Sequence, residues 1–385
     1  MTKLNDILDV DLLQKHIDER LVGVQLHPTL PLAIYNYTQR AAFGGVWGDG
    51  TIDYCRGLIV DRESNIIARP FKKFHNLDTA GIPETNAENI AVHFRDFPPN
   101  ITEKMDGSMG ILWRFENEWG IATRGSFTSD QAKWATKWYS EKIISGEMEL
   151  FNTSEFTPIF EIVYPDNRIV VKYDFEGLIL LALVNKHLGY EQAQGIVELL
   201  GSYRGFKDNY IVKNYGRQDG DFRKKNPLPD SEKNREGYVL TFDNGVNEPP
   251  LKVKIKFDEY CTLHKVVTGL SPKGIWELLS QGNKDFIKGT PEHFVKWAQQ
   301  WIDKLESKRI ELIMDAFEIF DRKPNGSRKE VAEYFKLETD KRAKEHLLGI
   351  LFMLYDERPV VQRDEAIWKL VKPRGDDKSF RQDGE

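Results

Sequence analysis

Hydrophobic and polar positions follow two patterns along the chain, and the change falls near residue 258. Before it, short apolar runs are bounded by Gly, Asn, Asp and Pro, the mark of strands and turns. After it, apolar residues recur at three- and four-residue spacing, the mark of helices. Leu4, Ile7, Leu8, Leu12, Leu13, Ile17 and Leu21 have helical spacing and predict one helix over 4–22. Residues 32–38 predict a strand with Tyr35 and Tyr37 on one face, packed or meeting a ligand. Residues 58–60 and 66–69 predict a hairpin around Glu63-Ser64-Asn65. Apolar residues on both sides of Lys104-Met105-Asp106-Gly107-Ser108 predict two strands joined by that turn. A second hairpin is expected over 111–115 and 120–123, then a helix opened by Ser129 and running to Ile144.

Further on, Glu161 sits in an otherwise apolar strand, and 177–184 is so continuously apolar that it predicts a central strand. Residues 203–235, with Arg223, Lys224 and Lys225, are polar and predict helix and loop. Residues 235–240 and 251–257 read as strands around Asp243-Asn244-Gly245. Beyond 258, Ser271-Pro272 and Thr290-Pro291 open helices, Pro324-Asn325-Gly326 ends the second, and Ser327 caps another. Residues 347–355 are a last apolar block, followed by Ile367, Trp368 and Leu370, then a polar tail after Arg374.

A length of 385 residues suits two domains, here 1–257 and 258–385, and 40% hydrophobic content is enough to give each a core. The net charge of −6 excludes a polycationic nucleic-acid binder, so any such surface must be a local basic groove. Cys55 and Cys261 have no zinc spacing and allow at most one bridge, which fits a reducing, cytoplasmic setting. The first 19 residues carry no signal core, and no apolar run approaches a membrane span.

Candidate chemistry centres on Lys104 and Asp106. A lysine attacks only when neutral, so its pKa of about 10.4 must be pulled down, and neighbouring cations with a bound metal are the expected cause. Arg56 precedes Gly57, Lys72 and Lys73 lie between Phe71 and Phe74, and Arg124 precedes Gly125. Each is either a solvated base or a phosphate contact. Period two puts Lys252, Lys254 and Lys256 on one strand face, where they repel one another unless an anion sits there. The alternative is a solvated face. Glu161 either points outward or is paired, because burying a lone carboxylate is costly. Together these suit attack of an amine on a nucleoside triphosphate. Asp106, Glu161 and Glu236 are available for a hydrated Mg²⁺ or a ribose hydroxyl.

The ordered motifs Lys-x-Asp-Gly (104–107), Phe-Glu-Ile-Val (160–163), Glu-Gly-Tyr-Val (236–239) and Lys-Ile-Lys (254–256) resemble the covalent nucleotidyltransferase superfamily of ligases and capping enzymes. Tyr-Asn-Tyr (35–37), Cys-Arg-Gly (55–57), Arg-Pro-x-x-Lys-Phe (69–74), Arg-Gly-Ser-x-x-Ser-x-Gln-Ala (124–132), Pro-x-Asn-Arg-Ile-Val (165–170) and Lys-Ile-Lys-x-Asp-x-Tyr (254–260) are similar to the phage-type, tRNA-repairing RNA ligases. That resemblance implies an α+β fold. An N-terminal nucleotidyltransferase domain (the ATP-grasp-like DNA/RNA ligase type) has antiparallel sheets and flanking helices. An all-α C-terminal domain follows, without the OB fold of DNA ligases and capping enzymes.

It also implies an activity: Lys104 takes AMP from ATP, AMP passes to an RNA 5′-phosphate, and a 3′-OH displaces it. Arg56 and Lys73 would hold the outer phosphates, with Arg124 among the nucleotide contacts. The backbone of Thr102 and Glu103 would pass the adenine edge. Glu161 would meet the ribose or the water shell of Mg²⁺ or Mn²⁺. Asp106 and Glu236 would support metal, and Lys254 and Lys256 would neutralise the α-phosphate. Implied partners are RNA with 5′-phosphate and 3′-OH ends, such as a nicked tRNA, and a separate end-healing kinase or phosphatase. A monomer in the cytoplasm, or in a phage-infected host's cytoplasm, is expected, with no membrane. The chain departs from the family at His75, where an aromatic is usual, and at Arg124, where some relatives have lysine. Rival readings are a tRNA splicing-type ligase without its healing modules and a catalytically silent RNA-binding protein.

Overall fold

A computed structural model describes residues 2–217, 221–223, 228, 233–245, 247–283, 285–288, 290–373 and 380. Lys224, Lys225 and the tail after Arg374, apart from Phe380, lie outside the described residues. The chain forms two compact units that divide between Cys261 and Thr262.

In the first unit β1 (Val22–Leu26), β2 (Leu32–Tyr37), β3 (Arg56–Asp61) and β4 (Ile66–Ala68) form one antiparallel sheet in chain order. A five-stranded sheet takes β5 (His75–Asn76) and β6 (Asn100–Lys104). A second four-stranded sheet takes β7 (Ser108–Phe115), β8 (Glu118–Ala122), β9 (Phe156–Val163) and β10 (Gly177–Asn185), in the order β10-β9-β7-β8. The five-stranded sheet is completed by β11 (Asn214–Arg217), β12 (Gly237–Phe242) and β13 (Leu251–Lys256), in the order β11-β6-β12-β13-β5. Its β13–β5 pair is parallel.

Alternation along the strands explains the layers. Leu32, Ile34 and Ile59 of the first sheet pack on Ile111, Trp113 and Ile159 of the second. The other face of the second sheet, with Leu112, Phe160, Ile162, Leu178 and Leu180, is covered by two helices. Ala135 and Tyr139 come from the helix Asp130–Ile144, and Val197 from the helix Gln194–Tyr203. The second sheet is therefore buried on both sides, which is why its strands read as continuous apolar runs. Each fully buried Ile, Leu or Phe there stabilises by about 1.5–3 kcal/mol.

Three expectations are corrected. The predicted helix over 4–22 is broken: a single turn at Leu4–Asp6 is followed by α1 (Val10–Asp18), because the Asp9 side chain accepts the Leu12 N–H and caps a new start. The Lys104 turn joins two strands as expected, and those strands, β6 and β7, belong to different sheets. Residues 177–184 form an edge strand, with Ile211 and Val212 lying along part of its open side. The polar stretch 203–235 holds β11, which pairs with β6.

In the second unit, every described element from Thr262 onward is helical. The long helix Glu292–Asp321 joins both cores. Its Phe294, Ala298 and Ile302 pack with Val267, Ile275 and Leu279, and its Leu312, Ala316 and Ile319 pack with Val331, Phe335 and Leu351. Ser271 caps Pro272–Ser280, and Ser327 with Glu330 forms a capping box at Arg328–Lys341.

Candidate active site

Lys104 ends β6 and Glu236 precedes β12, its antiparallel neighbour, with Gly237 opposite Lys104. The Lys104 ammonium lies 2.8 Å from one Glu236 oxygen, and the Lys256 ammonium lies 2.9 Å from the other. Glu236 is 3% exposed, so a buried carboxylate is shared by two cations. Gly237 makes this approach feasible. Its φ is +152°, and a Cβ there would sit 1.9 Å from the Ile255 carbonyl oxygen. Gly107 does the same for the turn after Lys104, since a Cβ would come within 2.5 Å of the Ile162 oxygen.

The expected depression of the Lys104 pKa is not found. Burial works to lower it, but Glu236, then Glu161 and Asp106, outweigh burial and hold Lys104 protonated. The depressed lysine is Lys254, pulled to about 6 by burial and by Lys104, Lys73, Lys256 and Arg56. Among the described residues Lys254 has no carboxylate partner, while Lys252 is paired with Glu191 at 2.6 Å. The row of three lysines on one face is as expected, but only Lys254 is left uncompensated.

Glu161 lies on β9 opposite Met109 of β7 and shares a face with Ile159. Burial raises its carboxyl to about 8. Lys104 and Arg56 work against that rise, and Glu236 and Asp106 add to it. Asp106 has a role the sequence did not suggest. Its carboxylate is 3% exposed and accepts the N–H groups of Val170 and Val171 at 2.8 and 2.7 Å and the Tyr260 hydroxyl at 2.8 Å. Those bonds tie the Lys104 turn to the loop after β9 and to the residues after β13. The expected metal role of Asp106 competes with this structural one.

A second cluster forms around Tyr37. Arg124 donates to its phenol oxygen at 2.8 Å and Lys73 at 3.3 Å, and both cations also lie over its ring. Arg56 lies beside them, over Phe74 and against the Met109 sulfur. Burial would raise the Tyr37 pKa, yet Arg124, Lys73 and Arg56 bring it down. None of these three cations has a carboxylate within ion-pair distance among the described residues. Tyr37 is the site residue that sequence reasoning left undecided, and its hydroxyl at strand spacing from Tyr35 gave no sign of two distant cations.

At Thr102 and Glu103 the backbone is largely committed to the sheet. Glu103 donates its N–H to the Lys213 carbonyl at 2.9 Å, so that amide does not offer the expected adenine contact. His75 is buried and edge-on to Trp47, and burial beside three lysines takes its pKa to about 4. It packs there as a neutral ring. Among the described residues no three His, Cys, Asp or Glu side chains gather as a metal-holding group.

Clustered cations near a buried lysine–carboxylate pair suit a polyanion. A model of the family described as RNA ligase matches residues 54–260, more than half of the chain, and that span holds every site residue above except Tyr37. The chain belongs to the RNA ligase family. It is similar to the RNA ligase of Rhodothermus phage RM378, 24% identical over 291 residues that cover 62% of this chain and 66% of the relative. A Thermovibrio ammonificans protein is 26% identical over 273 residues, covering 68% of this chain and 65% of that one. The chain thus spans just under two thirds of the length of these curated relatives. Among solved structures, an archaeal ATP-dependent RNA ligase is 15% identical with a TM-score of 0.44, covering 77% of this chain and 71% of that chain. A Naegleria gruberi RNA ligase solved with AMP and Mn is 14% identical with a TM-score of 0.36, covering 63% and 76%.

Proposed function

We propose that the protein is an ATP-dependent RNA ligase that joins 3′-OH and 5′-phosphate ends through lysyl–AMP and RNA–adenylate intermediates. The observation that carries this is the set of basic side chains, Arg56, Lys73, Arg124 and Lys254, that have no carboxylate partner among the described residues. Buried like charges repel, and a triphosphate supplies the counter-charge. Lys104 attacks the α-phosphorus and pyrophosphate leaves. Before that, Lys104 gives up its proton to solvent and its bond to Glu236. Arg56, Lys73 and Arg124 bind the outer phosphates, and Lys254 and Lys256 lie at the α-phosphate. AMP then moves to the RNA 5′-phosphate and is displaced by the 3′-OH.

A divalent ion fits as one held mainly by water and phosphate. Mg²⁺ needs only one or two carboxylates beside a nucleotide, and among the described residues the Glu161 carboxylate, unlike that of Glu236 with its two lysines and that of Asp106 with its three donors, is held by no ion pair or hydrogen bond. When bound, Mg²⁺ or Mn²⁺ offsets phosphate charge. On this reading residues 1–257 are the nucleotidyltransferase domain, and 258–385 select the RNA, with repair of nicked tRNA and separate end-healing partners as the setting. The test is an adenylylation assay with radiolabelled ATP and Mg²⁺. Acid-labile, base-stable label on the protein that vanishes in Lys104→Ala is expected. A folded, initially AMP-free protein that takes no label refutes the proposal.

A further inference from the structure

The dipeptides Glu103-Lys104 and Arg235-Glu236 face each other across the end of β6 and the start of β12, with charges in opposite order. Lys104 meets Glu236, and Glu103 meets Arg235. The second pair is bidentate. Arg235 Nε donates to one Glu103 oxygen at 2.9 Å and Nη2 to the other at 2.5 Å. The Tyr215 hydroxyl donates to Glu103 at 2.7 Å and itself accepts from Arg235. The guanidinium also lies over the rings of Tyr215, Tyr238 and Phe257, at 5.7, 5.0 and 5.5 Å from their centroids. Both side chains are mostly shielded, with 17% and 14% exposure.

Successive residues on a strand point to opposite faces, so the two ion pairs grip the same strand junction from both sides. The ladder between β6 and β12 ends at the Lys104–Gly237 pair, and beyond it the Glu236 backbone is tied to the β13 side, where its carbonyl accepts the Phe257 N–H at 3.0 Å. A one-residue slip would set Glu103 against Glu236. Arginine suits this place better than lysine because the pair is bidentate and the guanidinium is stacked.

We infer that Glu103 and Arg235, clamped by Tyr215, are positioning residues that fix Glu236 at the height where it engages Lys104 and Lys256. This inference rests on Lys104 being the nucleophile of the proposed ligase. It assigns a task to two residues on the far side of the sheet from the reacting phosphate.

The test uses the full chain with Arg235→Met, Glu103→Gln and the exchanged pair E103R/R235E, each checked for folding by circular dichroism. Two readouts are taken. One is single-turnover lysyl–AMP formation, giving a plateau rate and a half-saturating ATP concentration. The other is the pH dependence of Lys104 reductive methylation without ATP, mapped by mass spectrometry. At the high-pH limit, where Lys104 is neutral in every variant, the single variants should lose tenfold or more in plateau rate with half-saturating ATP changed less than threefold. Their Lys104 methylation profile should move to lower pH as Glu236 is released. The exchanged pair should recover at least part of the rate lost by either single variant. Folded single variants with unchanged rate and methylation profile would overturn the inference, as would an exchanged pair no better than the product of the singles. If wild type takes no AMP, the ligase reading fails. The methylation profile then decides the clamp alone.

Discussion

Glu236→Gln isolates the charge that holds Lys104 in its protonated form. The substitution keeps the size of the side chain and removes the carboxylate 2.8 Å from one ammonium and 2.9 Å from another. At an effective dielectric near 20, unit charges at that separation interact by about 6 kcal/mol. Sharing between Lys104 and Lys256, and the 20% exposure of Lys104, reduce the part that one lysine feels. Opposite charges this close typically move a pKa by about 1–3 units, at about 1.4 kcal/mol per unit. The sign follows from the pair: losing the anion disfavours the ammonium, so the Lys104 pKa falls. The rate of lysyl–AMP formation at saturating ATP should therefore begin its rise about 1–3 pH units lower than in wild type, although its plateau falls if Glu236 also helps hold the nucleotide. The assay is single-turnover adenylylation from pH 5 to 10, with Lys104 methylation as an ATP-free control. Profiles that superimpose in wild type and Glu236→Gln would refute the account of Lys104 as an ion-paired resting nucleophile.

Three other outcomes follow from the same geometry. Lys254, held near 6, is largely neutral at pH 7.5 and should gain a proton when a triphosphate arrives, so calorimetry in buffers of different ionisation enthalpy should show proton uptake on ATP binding. Equal uptake in Lys254→Met would count against this. His75 has a folded pKa of about 4 against about 6.5 unfolded, so the unfolded chain binds the extra proton between those values and stability falls as pH drops through that window. His75→Gln should flatten that loss, worth about 1–2 kcal/mol after screening, in urea unfolding at pH 7 and pH 5. Gly237→Ala puts a Cβ 1.9 Å from a carbonyl oxygen at a φ of +152°, so a thermal midpoint several degrees lower and lost adenylylation are expected. A variant with wild-type melting would remove the steric argument.

The sequence by itself determined the elements whose signals are local. Ser129, Ser271 and Ser327 cap the helices they were expected to cap, because a cap depends on residues three positions away. Alternation put Lys252, Lys254 and Lys256 on one face, and the motifs singled out Lys104, Glu236 and Lys256, which the fold brings together. What only the tertiary structure decided involves residues far apart in the chain. Whether the Lys104 turn is a hairpin depends on which strands β6 and β7 choose as partners, and they choose different sheets. The edge position of β10 was hidden because burial on both faces produces the same apolar run as a central strand. Short, polar β11 had no hydrophobic alternation to reveal it, and β6 supplies its pairing. Charge state is the most distant property of all. Lys104 is raised rather than lowered because Glu236, 132 positions along the chain, reaches it before any cation does, and Lys254 is lowered because burial and then Lys104, Lys73, Lys256 and Arg56 act on it with no carboxylate partner among the described residues. Residue types announce which groups can react, but a pKa is set by distance and burial, and those exist only once the sheets have packed.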